Sequence, residues 1–221
     1  MKPINCFIVY DDTVQAEITI ENLLQSELVN AVYLLSKREN IQVNEKCFPI
    51  LIDSLYSSNT IRKIAEKSDT PYSLVYLKNT PLHLGQFALE RFFQIAQDTK
   101  AGMVYSDYYQ VSGGVRSKLP LIDYQTGSVR DDFNFGSVLF FNAEVLKQAS
   151  AQMNENFLHA GLYDARLRIS QKAELVHIDE YLYSEVESDN RKSGEKLFDY
   201  VDPKNRQRQL EMEHACTEHL K

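Results

Sequence analysis

A chain of 221 residues with 43% hydrophobic content can bury a substantial core, as one generous domain or two small ones. A net charge of −7 and a pI near 5.3 exclude a non-specific nucleic-acid binder, which would present a basic face. Cys6, Cys47 and Cys216 are too far apart for a zinc or disulfide framework and suit a reducing cytoplasm. No secretory leader or membrane-spanning run is visible.

Residues 6–10 form an unbroken apolar run, the mark of a strand buried on both faces, and they exit into Asp11, Asp12 and Thr13. A helix with Ile20, Leu23, Leu24 and Leu28 at helical spacing follows, then strands over 31–35 and 48–52, the latter ending at Asp53. Ser57, Ser58 and Asn59 cap a helix carrying Ile61, Ile64 and Ala65. Residues 72–77 form the fourth strand, which leaves through Lys78, Asn79, Thr80 and Pro81.

The spacing of Leu84, Phe87, Ala88, Phe92 and Ile95 predicts the next helix, and a strand over 102–109 is expected to stop at Asp107. In an open α/β sheet, ligands bind beyond the carboxyl ends of strands, so an acid at such an exit is a candidate site residue; an Asp that simply ends a strand is the alternative. Strands alternating with helices imply a parallel sheet with right-handed crossovers. Residues 110–119 read as a hairpin turning at Gly113 and Gly114, and 123–135 as a loop over the site. A strand over 137–141, helices over 143–149 and 163–170 and a closing strand over 174–178 complete the domain. His159 and His177 read as ordinary structural residues. The polar end, with a helix start at Asp202 and Pro203 and no stop signal at Lys221, is expected to lead into a further domain.

Taken together, residues 5–188 resemble the inverting family-two glycosyltransferases. The resemblance is carried by Phe7-Ile8-Val9-Tyr10-Asp11-Asp12, by Leu51-Ile52-Asp53 and by Val104-Tyr105-Ser106-Asp107. Asn142 to Leu146, Tyr163-Asp164-Ala165-Arg166-Leu167-Arg168, and the closing segment from Val176 to Tyr183 extend it. It implies a single three-layer, Rossmann-like GT-A domain (a nucleotide-diphospho-sugar transferase fold) over 1–188, with a mostly parallel central sheet and a helical extension over 189–221. It further implies a nucleotide-sugar donor, a glycan or lipid-linked acceptor, and a cytoplasmic place at or near the inner face of a membrane. Nucleotide contacts fall on Tyr10, Asp11, Asp53, Lys78 and Asn79.

Two of the family's acidic positions differ here. The Asp-x-Asp that would hold Mg²⁺ or Mn²⁺ against the diphosphate is replaced by Lys78 and Asn79, and the Glu-Asp pair supplying the general base aligns with Gly161 and Leu162. Lys78 either offers a point charge to the diphosphate or is a solvated loop residue. Asp107 and Asp164 are the remaining catalytic candidates, with Asp107 also the candidate metal ligand and Asp131 and Asp132 its nearest conceivable partners; Asp164 is equally a helix cap. The sequence thus supports a catalytically impaired domain acting in binding or assembly, or an active transferase whose remaining acids do rearranged work, with Mg²⁺ or Mn²⁺ implied in the active case. An unrelated nucleotide-binding doubly wound domain is the third alternative.

Overall fold

A computed structural model describes residues 2–11, 13–39, 41, 45–187 and 206–221. Asp12 and the helix start at Asp202 and Pro203 lie outside the described residues. Strands β1 (Ile4–Val9), β2 (Val29–Ser36), β3 (Cys47–Leu51) and β4 (Tyr72–Tyr76) carry helix α1 (Thr13–Leu24) between β1 and β2 and helix α2 (Ser58–Lys67) between β3 and β4. They lie in the order β3-β2-β1-β4, all parallel, as expected from the sequence.

The second half is β5 (Leu82–Leu84), α3 (Ala88–Thr99), β6 (Met103–Ser112), β7 (Val115–Leu119), β8 (Val138–Asn142), α4 (Ala143–Ala151), α5 (Gly161–Ser170) and β9 (Leu175–Val186). The sheet continues from β4 through β8, β6 and β9 to β5. Strand β8 runs antiparallel between β4 and β6, while β6 and β9 are parallel. A last helix, α6 (Arg206–His219), follows. Among the described residues no helix is long and apolar enough to cross a membrane.

Alternate strand residues feed two apolar layers, as the two-residue strand period demands. One contains Ile4, Cys6 and Ile8 of β1 with Ile20 and Leu23 of α1 and Phe92 of α3. The other contains Phe7 of β1, Ile61 and Ile64 of α2, Leu146 of α4 and Ile169 of α5. This is the expected three-layer arrangement. Ser57 caps α2, its side chain accepting from the Thr60 N–H at 3.1 Å. The β6–β7 hairpin turns at Gly113 and Gly114, with φ of +56° and +82°.

Three expectations need correction. Leu84 and Phe87 do not belong to the third helix: Leu84 closes β5, which pairs with β9, and Phe87 sits at the N-cap with φ +59°. The Gly85 N–H donates to Leu182 O at 2.8 Å, and this backbone tie to β9 overrides the helical spacing of the side chains. Leu28 lies past the end of α1 and packs against the core from a turn. Asp107 does not stop a strand; β6 runs on to Ser112, and the register against β9 shifts between Ser106 and Tyr108. That bulge takes Asp107 out of the ladder and re-aims its side chain.

Candidate nucleotide-sugar cleft

The carboxyl ends of the four parallel strands open into a cleft of about 410 Å³. Strand β1 contributes Val9 and Asp11, and β2 contributes Lys37. Ile52, Ser54 and Tyr56 come from beyond β3, and Leu77, Lys78 and Asn79 from beyond β4. Of the five expected nucleotide contacts, Asp11, Lys78 and Asn79 therefore line one cleft. Tyr10 does not: its ring is buried in the core on the α1 side. Asp53 does not line the cleft either, and instead organises the start of α2, accepting from Ser54 N–H, Ser57 Oγ and Thr60 Oγ1. Partial burial opposes ionisation of Asp53, but the hydrogen bonds, led by that from Ser57, outweigh it and hold the carboxyl below its ordinary range.

Lys37 was not singled out from the sequence, although the strand-exit rule applied to β2 points straight at it. Glu185 left no local signal, being a lone acid on a strand. Yet Glu185 is buried, with 1% side-chain exposure, and forms an ion pair with Lys78. Its second oxygen accepts from Ser137 Oγ. The Tyr183 hydroxyl accepts from Ser137 N–H at 2.8 Å in the same knot. A Cβ at Gly136 would come within 2.4 Å of that hydroxyl, so glycine with φ +73° is required there. The cation at the β4 exit is thus fixed by a strand from the far half of the sheet.

Asp107 is buried beneath the 120–136 loop and lines neither this cleft nor the aromatic chamber beside it. Its Oδ1 accepts from Leu121 N–H at 2.7 Å and faces His177 Nε2 at 2.9 Å, while His177 Nδ1 faces Asp123 at 2.8 Å. Tyr105 stacks on the imidazole. Asp107 holds the loop down. Asp131 lines the neighbouring chamber, and Asp132 pairs with Arg130 on the surface, so neither joins Asp107. Among the described residues no group of three His, Cys, Asp or Glu side chains could hold a metal ion. The β4 exit offers an ammonium, which cannot ligate a cation, and one carboxamide oxygen, with no carboxylate of its own, a poor match for Mg²⁺ or Mn²⁺.

At the head of α5 the fold leaves residue 161 no room for a side chain. A Cβ on Gly161 would lie 2.2 Å from Ser58 N and 2.4 Å from Ser57 C, because the start of α2 packs directly on this residue. No side chain fits there. Leu162 faces the neighbouring chamber. Asp164 is buried behind it and accepts from Arg168 Nε at 2.8 Å. Burial raises the Asp164 carboxyl above its ordinary value despite the opposing pull of Arg168. The residue lines neither chamber. A carboxylate does reach the head of α5 from elsewhere: Glu211 of α6 accepts from His159 N–H and Ala160 N–H at 2.6 and 3.2 Å, docking the terminal helix.

Adjoining the cleft, and sharing Tyr56 and Leu77 with it, is an aromatic chamber of about 230 Å³ roofed by Phe133 and Phe135 of the loop and by Met212 of α6. The loop is held over it by Tyr163, whose hydroxyl donates to Val129 O, and by Arg166, which donates to Ser128 O at 2.8 Å and Arg130 O at 2.7 Å.

No family profile and no curated protein matches the chain. Its likeness is to solved structures of TarS from S. aureus, residues 1–349. The structure of TarS alone shows 10% identity and a TM-score of 0.57 over 82% of this chain and 60% of that one. TarS in complex with UDP-GlcNAc gives 8% identity and 0.62 over 86% and 60%, and TarS in complex with UDP gives 8% and 0.63 over 84% and 61%. The chain spans about 60% of the length of those structures. At such identity the likeness establishes the fold alone, and that fold is the GT-A fold expected from the sequence.

Proposed function

We propose that this domain binds a nucleoside-diphosphate sugar across the exits of β1 to β4 without a divalent metal, and that it is impaired in sugar transfer. It serves as a binding or assembly module of a larger polysaccharide-building protein. The observation that carries this reading is the Lys78–Glu185 ion pair, which seats a fixed ammonium at the β4 exit where an active enzyme of this fold would present metal-binding carboxylates. Base and ribose lie over β1 to β3 near Asp11 and Lys37, and the diphosphate faces Lys78 and Asn79. TarS has been solved with UDP and with UDP-GlcNAc, which supports a uridine nucleotide as the first ligand to try.

Chemistry would require deprotonation of an acceptor hydroxyl. The α5 head has no room for a carboxylate at residue 161, and Asp107 and Asp164 are engaged in positioning. The alternative reading, an active inverting transferase, draws on Lys78 itself, since an ammonium can balance charge on a leaving diphosphate. Calorimetric titration with UDP, in EDTA and then in Mn²⁺, tests the proposal. Equal affinity in both, weakened by Lys78→Ala, is the expected result; binding that appears only with Mn²⁺ refutes it. Sustained release of UDP from a UDP-sugar in the presence of an acceptor would establish the active reading instead.

A further inference from the structure

Arg166 is an unusual neighbour for an aromatic chamber. It is only 4% exposed and lines the cavity beside the nucleotide cleft. Its guanidinium sits 4.9 Å from the Tyr163 ring centre and 5.7 Å from those of Tyr124 and Phe135. Among the described residues no carboxylate lies within ion-pair distance of it. Two backbone carbonyls, the Tyr124 hydroxyl at 3.5 Å and three ring faces offset part of the cost of burying that charge, but none carries a negative charge of its own. Arg208 of α6 lines the same cavity, is exposed, and likewise has no ion-pair partner among the described residues. Among the described residues Asp131 is the one acid on these walls, and it lies outside ion-pair distance of both arginines.

A buried cation bordering an open, mostly apolar cavity is a binding feature waiting for an anion. The rest of the wall sets the remaining chemistry. Tyr56, Phe133, Phe135 and Tyr163 offer flat apolar faces of the kind that stack on a sugar ring. At about 230 Å³ the chamber is smaller than pockets that take a whole drug-sized ligand (about 300–1,000 Å³), and suits a single moiety. Because it shares Tyr56 and Leu77 with the nucleotide cleft, a sugar joined to a diphosphate at Lys78 has this chamber as the next space along the strand ends.

We infer that the chamber is the sugar subsite of the nucleotide cleft and selects a sugar bearing a carboxylate, of the hexuronic-acid type, through Arg166 and Arg208. The inference rests on the nucleotide reading above and adds to it the class of sugar. A planar guanidinium fork matches a carboxylate in two parallel hydrogen bonds, and a charge-assisted pair of this kind separates an acid from its neutral analogue by about ten-fold or more.

The test is calorimetric affinity for UDP, UDP-glucose and UDP-glucuronic acid, the two sugars differing at one carbon. The expected result is at least ten-fold tighter binding of UDP-glucuronic acid than of UDP-glucose, with the gap falling to about three-fold or less in Arg208→Ala. Arg208 is exposed, so this variant does not threaten the fold; Arg166→Lys, which keeps the charge and removes the fork, is the second variant and should also narrow the gap. Binding of UDP with no preference for the acid would overturn the inference and leave the nucleotide site standing. A preference undiminished in both variants would overturn the assignment to this chamber. No binding of UDP at all would remove the nucleotide reading and this inference with it.

Discussion

Replacing Gly161 with alanine distinguishes a steric cause from an incidental one for the missing acid at the head of α5. Glycine is a poor helix residue, and Gly→Ala at an unconstrained helical position stabilises by roughly 0.5–1 kcal/mol. Here the added Cβ would stand 2.2 Å from Ser58 N, against the 3.4 Å at which ordinary contact begins, an overlap of more than 1 Å with backbone that cannot rotate aside. Overpacking of this kind costs about 1–3 kcal/mol, and contact with main chain puts it at the upper end, about 3 kcal/mol. With a urea slope of about 2–3 kcal/mol/M for a domain of this size, the unfolding midpoint should fall by about 1 M. Urea denaturation followed by circular dichroism measures it. A midpoint that stays put or rises would refute the steric argument, and with it the physical reason for an absent base.

Three further outcomes follow from the same contacts. Ser57→Ala removes the α2 cap and one anchor of Asp53 and should cost about 1 kcal/mol by the same assay. Asp53 lies below its ordinary value of 3.8 in the folded state, so its contribution is fully present above that value and disappears as pH falls through the folded one. Asp53→Asn should therefore flatten the acid limb of a stability–pH curve, and an unchanged limb would show that other carboxylates govern it. Glu185→Gln breaks a pair of a kind whose loss costs about 3–5 kcal/mol when both partners are buried. Lys78 keeps water access at 29% side-chain exposure, so about 2 kcal/mol is expected. Without its seat on Glu185, Lys78 should bind UDP more weakly, and unchanged or tighter binding would refute a role for the pair in holding the ammonium for the diphosphate.

The periodic part of the chain was legible because its physics is local. Unbroken apolar runs such as residues 6–10 and a serine cap such as Ser57 specify buried strands and helix starts within a few residues. The misreadings arose where partners distant in sequence decide. Leu84 has helical spacing, but β9 claims it for a strand. Asp107 has the look of a strand exit, but the hairpin carries β6 onward and the bulge hands its carboxylate to Leu121 and His177.

The candidate site divides in the same way. Asp11, Lys78 and Asn79 follow directly from the strand-exit rule and line the cleft. Tyr10 and Asp53 obey that rule in sequence, but the pleat turns the first into the core and the second braces the Ser57 cap of α2. Glu185 and Arg166 are invisible to it, since their importance comes from burial beside residues more than thirty positions away. The helix at the carboxyl end could be read as spacer or dock from its charges alone; Glu211 at the α5 head and Ala215, Met212 and Cys216 against Tyr163 and Leu167 make it a dock.

The most direct measurement is a crystal of the domain soaked with UDP and Mn²⁺ together, its anomalous signal locating the manganese. The account predicts the diphosphate against Lys78 and Asn79, the base over the exits of β1 to β3, and no manganese at Asp107 or the β4 exit. Manganese held between the diphosphate and a protein carboxylate, with Lys78 displaced from Glu185, would contradict it.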